Sequence, residues 1–480
     1  MSTPLGTLID GYPPTDLGNA QRLIHAHGHD LRYVYAWGKW LVWDGQRWAR
    51  DESGEVERRA KAVIADLRAM AALCNEGLQD LPKESPAYEM YTACQSSFLK
   101  WAQDSETPSA IRNMLSMAQS EPGVAVHPDQ LDAHPWLLNC TNGTLDLRTG
   151  ELRPHSRMDL ITEQVPVPYD REARSAVWEQ FLQDVTDGDS SMIDFLQRAV
   201  GYSLTGDTRE EKLFFVHGPG ATGKSTFIKA VQGTLGSYAR TADFETFLAR
   251  RDIGGPRPEL ARLVGARLVA SVEVADGRKL AEGLVKQVTG GDKIATRALY
   301  KDVFEYTPQF KLWLVANDAP RMRYEDDGLW RRILRVPFEH IVPKEQRKPA
   351  IKKELCDPDT SGAAILAWAV QGCLAWQQGG LPVPEAIRDA TARLQLEMDP
   401  IRDFMDDCCA LDPVASVEVS ALYAAYQEWA QANGERWPLT AKKFGEHLTG
   451  KGYAPERGTG GKRIRRGLTL RSRYAWPIAA

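Results

Sequence analysis

The sequence predicts an α/β protein of several domains, and three observations carry that reading. Its 480 residues exceed one ordinary domain, since roughly 100–200 residues per domain implies about three. Between about residues 206 and 340, short apolar runs (213–216, 268–274, 311–316) alternate with helical stretches (224–235, 280–289), the pattern of buried strands interleaved with helices. The glycine-rich stretch Gly218-Pro219-Gly220-Ala221-Thr222-Gly223-Lys224-Ser225 then falls between the first of those strands and the first of those helices. With 43% hydrophobic residues there is ample material for packed cores, which excludes wholesale disorder.

In chain order, the residues to about 165 read as a mixed α+β domain. Residues 40–43, Asp44-Gly45 and 46–48 form a predicted hairpin, because Asp-Gly supplies the positive φ angles of a tight turn. A helical pattern covers 55–73, and Asn142-Gly143 to Leu152 reads as a second hairpin. Trp37, Trp40, Trp43 and Trp48 could stack bases, but a small hairpin core is the favoured reading. His25, His27 and His29 alternate without a carboxylate or cysteine cluster to complete a metal site, so they read as surface residues. Residues 166–205 predict a helical pair broken at Asp187-Gly188-Asp189. The α/β core runs over 206–345, a helical flank over 346–400, and another mixed domain over 401–480.

Charge divides the chain unevenly. Residues 436–473 hold eleven Lys and Arg against Glu446 and Glu456, a net +9, which leaves −14 on the rest of a chain totalling −5. A basic end on an acidic body predicts a polyanionic partner there. No run of 18 apolar residues and no signal-peptide pattern occur, and seven scattered cysteines form no CxxC pair, so a cytoplasmic protein with reduced thiols is expected.

The glycine-rich stretch fits GxxxxGK[ST]. Its glycines let backbone N–H groups turn toward phosphates at a helix N-terminus, Lys224 would bridge the β- and γ-phosphates, and Ser225, followed by Thr226, would ligate Mg2+. The implied ligands are a nucleoside triphosphate and Mg2+. A guanine-reading NKxD is missing, since Asn317-Asp318-Ala319-Pro320 lacks the lysine, so the loop alone leaves kinases, motors and signalling ATPases open. The apolar strand over 267–273 ends in Glu273, a carboxylate that could hold Mg2+ through water or polarise an attacking water; Asp276 is a poorer candidate. Thr289-Gly290-Gly291-Asp292, a strand ending at Asn317, and Trp330-Arg331-Arg332 follow.

This series, in this order and spacing, resembles the superfamily 3 helicases, specifically the primase–helicase family of phages and plasmids. The resemblance extends to an aromatic N-terminal segment and a C-terminal end like the family's winged-helix domain. It implies an AAA+-like hexameric ring that hydrolyses ATP with Mg2+ and moves 3′ to 5′ on single-stranded DNA in the host bacterium's cytoplasm. Forked DNA, a primase and replication-origin factors are the further partners it implies. Position by position, Lys224 and Ser225 hold phosphate and metal, Glu273 activates water, and Asn317 is the polar sensor of the γ-phosphate. Lys301, sixteen residues before Asn317, falls where the family's pore hairpin offers a basic residue to DNA, with Arg297 and Tyr300 nearby. Arg331 or Arg332 is the arginine finger that reaches a neighbour's nucleotide; Arg332 is preferred, because Leu334 and Val336 continue from it as a strand. The plainer readings are an Asn317 that caps a turn, an Arg331 in a surface ion pair and a solvated Lys301.

At the C-terminal end, a short helix over 440–448 precedes a glycine-tipped basic hairpin with Lys462, Arg463, Arg465 and Arg466, an order that fits a winged helix against duplex DNA. Two departures stand out. Val272 precedes Glu273 where many ring helicases carry a second acid, and residues 1–165 show no close strand carboxylate pair or zinc cluster, so priming is not expected within this chain. Primer synthesis and a non-motor ATPase switch in origin recognition or phage defence remain the alternatives.

Overall fold

The computed structural model describes residues 11–250, 257–272, 279–297, 303–324, 326–343, 349–399, 401–433, 438–458 and 461–471. The first described element is helix α1 (Asp16–His27), whose N-cap Thr15 accepts from the Gly18 N–H, and it runs into an antiparallel meander of β1 (Leu31–Val34), β2 (Lys39–Trp43) and β3 (Trp48–Arg50). The β2–β3 turn is the predicted hairpin: Asp44 Oδ1 accepts from the Gln46 and Arg47 N–H groups at 2.8 Å each, and Trp43 faces Trp48. Helices α2 (Glu55–Leu78), α3 (Pro86–Ser105) and α4 (Pro108–Ala118) follow. The last two were not read from the sequence, although each starts with a Ser or Thr cap followed by proline at the first helical position. Their core joins Ala20 and Leu23 of α1 to Val63, Leu67, Phe98 and Met114.

A second small sheet, β4 (Leu137–Cys140), β5 (Gly143–Asp146) and β6 (Glu151–Arg153), packs elsewhere. Leu138, Cys140 and Leu145 belong to one hydrophobic cluster with α5 (Ala176–Thr186), α6 (Ser190–Leu204) and the central sheet. The predicted break between α5 and α6 is present, with Asp187 in the left-handed region (φ 52°) and Asp189 capping α6.

The central sheet is parallel throughout, in the order β13-β7-β12-β9-β8: β7 (Leu213–His217), β8 (Ala239–Thr241), β9 (Leu268–Val272), β12 (Lys311–Ala316) and β13 (Ile333–Pro337). β12 is buried from end to end, as a strand covered by helices on both faces must be. Between its strands lie α7 (Lys224–Leu235), α8 (Glu282–Gly290), the antiparallel hairpin β10 (Ile294–Thr296) and β11 (Phe304–Tyr306), and the short α9 (Asp327–Trp330).

Three helices close the core: α10 (Pro349–Cys356), α11 (Ala363–Gly379) and α12 (Glu385–Glu397). α11 is apolar all round and crosses α6 at a glycine contact. A Cβ on Gly201 would lie 2.1 Å from the Cys373 nitrogen, and one on Gly372 only 2.0 Å from the Gln197 carbonyl oxygen, so neither position tolerates a side chain. The C-terminal unit runs α13 (Arg402–Cys408), β14 (Cys409–Glu418), α14 (Val419–Ala432), α15 (Ala441–Gly450), β15 (Pro455–Arg457) and β16 (Arg463–Leu470), with its sheet in the order β14-β16-β15. Among the described residues, no helix is long and apolar enough to cross a membrane.

Candidate nucleotide site and its arginine edge

The glycine-rich loop joins β7 to α7 at the C-terminal edge of the sheet, where α/β proteins bind ligands. Its shape is set by close approach: a Cβ on Gly218 would lie 1.9 Å from the Phe338 carbonyl oxygen, so only glycine fits where β7 leaves the sheet beside β13. From below, α5 supports the loop, with Trp178 stacked on Phe227 of α7 at 5.9 Å. Lys224 is buried and curls back into the loop, donating to the Gly218 and Pro219 carbonyls at 2.7 and 2.6 Å. That burial pushes its pKa below the ordinary lysine value. A phosphate offers anionic oxygens in place of two neutral carbonyls, so the ammonium has reason to exchange them.

Ser225 is exposed on the first turn of α7 and makes no hydrogen bond among the described residues, so its hydroxyl suits a metal ligand. Thr226, next along α7, is half-buried. Asn317 directly follows Ala316, the register partner of His217, and so stands beside the loop at the same edge, exposed. Its side chain makes no hydrogen bond among the described residues. β9 also ends at this edge, with Val272 opposite Val315. The next residue, Glu273, lies outside the described residues, as do Asp276, Tyr300 and Lys301. Arg297 is described: exposed, at the end of β10 where the hairpin turns.

Sequence reading gave no hint of the support under the loop. His217, the last residue of β7, lies 2.9 Å from Arg335 Nη2 of β13, and Arg335 pairs with Glu397 at 3.3 Å. Burial and the adjacent Arg335 push the His217 pKa below its ordinary value. The contact joins strands far apart in sequence, so no local pattern announces it.

Arg331 and Arg332 sit at the opposite, N-terminal edge, where the Leu213 N–H donates to the Arg332 carbonyl at 2.7 Å. The preference for Arg332 as the finger does not survive the geometry. The Arg332 side chain is only 9% exposed and is held by the Gly328 carbonyl at 2.6 Å and Glu211 at 2.8 Å. Arg331 is 64% exposed and pairs with Glu211 at 2.9 Å. A strand does continue beyond Arg332, but strand continuity orders the backbone and says nothing about which guanidinium faces solvent.

α9, which directly precedes these arginines, is bolted to α8, which leads into the β10–β11 hairpin. Asp326 caps α9 by accepting from the Leu329 N–H at 3.1 Å and pairs with Lys286 of α8 at 2.7 Å, while Arg323 pairs with the buried Glu282 of α8. Two further cations at this edge are structural. Arg267 donates to the Leu204, Leu137 and His134 carbonyls at 2.8, 2.7 and 3.1 Å, and Lys311 to those of Asp207 and Gln309 at 3.1 Å each and to that of Thr205. Through the Leu204 and Thr205 carbonyls they neutralise the C-terminal end of α6.

In the C-terminal unit the four basic residues of the hairpin separate. Arg463 is exposed, Lys462 pairs with Glu418 at 2.6 Å, and Arg466 pairs with Glu456 at 2.8 Å. Arg465 is 3% exposed and donates to the Gly445 carbonyl at 2.8 Å and to the Tyr453 carbonyl, clamping α15 to β16. Its expected DNA contact is therefore corrected to a structural one. Lys442 and Lys443, counted from the sequence only as charge, are exposed on the first turn of α15. The tryptophans resolve toward the core: Trp48 is fully buried and Trp43 nearly so, with Arg32 and Arg157 over their rings.

Parts of the chain are similar to known proteins. Residues 20–187 match the family described as D5 N terminal like, 216–332 a family of unknown function, and 396–452 the family described as poxvirus D5 protein-like. Three viral relatives carry the name "Putative helicase". L207/L206 of Acanthamoeba polyphaga mimivirus is 29% identical over 63% of this chain and 34% of its own length. For 022R of frog virus 3 the figures are 29%, 50% and 26%, and for 184R of invertebrate iridescent virus 6 they are 23%, 66% and 36%. The chain thus spans between 26% and 36% of the length of these relatives. The A form apo structure of the NrS-1 C terminal region aligns over 95% of this chain and all of that one, with a TM-score of 0.50 at 10% identity, a likeness of fold.

Proposed function

Because the chain belongs to the D5-like primase–helicase family, we propose that it is the ATP-driven motor of a superfamily 3 DNA helicase, acting as a ring on single-stranded DNA in phage, prophage or plasmid replication. The observation that carries this reading is Arg331, exposed at the edge of the sheet opposite its own phosphate loop. The five residues of β13 span about 13 Å between them, and the guanidinium sits beyond the far end. It cannot reach the nucleotide of its own loop, so it serves the loop of a neighbour, and a closed ring lets every subunit do so.

The loop N–H groups and Lys224 bind and orient the phosphates, and Asn317 holds the γ-phosphate end from the adjacent strand. Ser225, with Glu273, would hold Mg2+, which neutralises phosphate charge when bound. Glu273 would take the proton of the attacking water, and Arg331 from the neighbour would stabilise charge on the transferred group. Arg297, exposed after β10, would meet DNA phosphates, as would Tyr300 and Lys301, which lie between β10 and β11 in the sequence. The α8–α9 ion pairs support a link between that hairpin and the finger. The C-terminal unit, with its helix–strand–helix–helix–hairpin order, acts as a winged helix that meets duplex phosphates through Lys442, Lys443 and Arg463, with Lys462 and Arg466 at the rim.

Purified protein should unwind a forked duplex with ATP and Mg2+. Arg331→Ala should bind ATP but not hydrolyse it, and mixing it into wild-type protein should suppress activity more than in proportion. Hydrolysis without DNA binding or unwinding would replace the motor with a nucleotide switch, and full activity from monomers would remove the ring.

A further inference from the structure

Glu211 lies two residues before β7, at the same sheet edge as the arginines, and neither nucleotide binding nor DNA contact uses it. Its backbone occupies the left-handed region (φ 52°), uncommon for a residue with a side chain. The surrounding segment is fastened on both sides. The Glu211 N–H donates to the Thr208 carbonyl at 2.9 Å, Glu210 accepts from Trp376 Nε1 at 2.8 Å, and Lys212 Nζ donates to the Arg331 carbonyl at 2.7 Å. One oxygen of Glu211, Oε2, meets both Arg331 (2.9 Å) and Arg332 (2.8 Å).

The two arginines depend on it differently. Arg332 is buried and has the Gly328 carbonyl as a second acceptor. Arg331 is mostly exposed, and Glu211 is its only side-chain acceptor among the described residues. Releasing Arg331 therefore costs little, because an exposed ion pair is weak, while the carboxylate keeps Arg332 as a partner. A phosphate that accepts two N–H groups at once binds a guanidinium more strongly than this pair does.

We propose that Glu211 is a positioning residue of the arginine finger: its carboxylate docks Arg331 against its own subunit, and nucleotide phosphate in the neighbouring subunit takes the arginine from it. This rests on the trans role of Arg331 proposed above. Docking competes with phosphate, so its removal changes the concentration of ATP needed and not the rate once ATP saturates.

The test uses the full chain with ATP and Mg2+. Glu211→Gln should lower the KM for ATP about 2–5-fold, the factor an exposed ion pair commands, and leave kcat unchanged. Glu211→Asp keeps the negative charge that buried Arg332 needs but is one methylene shorter. It should give the same shift, and it covers the case in which the glutamine variant does not fold. In an Arg331→Ala background, binding of a fluorescent non-hydrolysable ATP analogue is measured instead, and Glu211→Gln should leave it unchanged. If Arg331→Ala alone keeps wild-type hydrolysis, the finger assignment fails. If that variant is inactive but both Glu211 variants keep the wild-type KM or lose kcat, or if Glu211→Gln shifts binding without Arg331, Glu211 is not the dock.

Discussion

The two edges of the central sheet use charge in opposite ways. At the C-terminal edge, Asn317 is exposed beside the loop, and Lys224 is buried within it on loop acceptors that an anionic ligand can replace. At the N-terminal edge, Arg267, Lys311 and Arg332 are buried and donate to carbonyl oxygens, Arg332 also to Glu211, while Arg331 is exposed. The edge follows from strand direction. In a parallel sheet the strands end together in loops that start helices, so one edge gathers helix N-termini and favours anions. The other edge receives helix C-termini, whose carbonyls must be neutralised before they can be buried. A cation at the first edge is available for chemistry, and a cation at the second is usually architecture.

Substitutions can break this contrast, and the largest effect belongs at the architectural edge. Arg267→Met removes the donor to three buried carbonyls and should cost about 3–5 kcal/mol of stability, read as a drop in the denaturant midpoint. An unchanged midpoint would mean that this edge is not held by its cations. At the other edge, Lys224→Ala should lower ATP hydrolysis by about 10²–10³-fold while the melting temperature barely moves. A large loss of stability there would blur the distinction.

The C-terminal unit repeats the contrast on a smaller scale. Arg465→Ala should destabilise it by about 1–3 kcal/mol, seen as an early unfolding transition, because α15 loses its clamp to β16. Arg463→Ala should leave the transition in place and weaken DNA binding evenly across sequences, reducing the slope of log affinity against log salt by about 1. The smallest effect is on pH. His217 has a folded-state pKa below its ordinary 6.5, so the unfolded chain binds its proton first. Its contribution to stability is complete above pH 6.5 and is lost as pH falls through the folded value. Thermal melts from pH 7.5 downward should show that loss, and His217→Gln should flatten it.

How much of this could be read from the chain varies with distance along it. The phosphate loop could be, because its glycines, Lys224 and Ser225 act within eight residues of each other. β7, β9 and β12 could be, because a strand buried on both faces needs an unbroken apolar run. The three-residue β8 was too short to show. α3 and α4 were missed because their starts are marked only by Ser85-Pro86 and Thr107-Pro108, with no long apolar stripe to advertise a helix. The seating of β4–β6 against the central sheet rather than the N-terminal helices was also invisible, since Leu138 and Leu145 would suit either neighbour.

Residue order alone was enough for a glycine-rich strand–loop–helix on an α/β core, a helical pair leading into it and a basic C-terminal end. Each follows from spacing over a few residues, where backbone geometry sets which groups meet. Long-range packing was needed to settle which of two adjacent arginines is exposed, which of four hairpin cations is buried, and that Glu211 holds both Arg331 and Arg332. Exposure and pairing depend on what the rest of the chain folds against a residue. Arg331 and Arg332 are chemically identical neighbours, and the packing of α9 against α8 and the segment before β7 turns one outward and the other in.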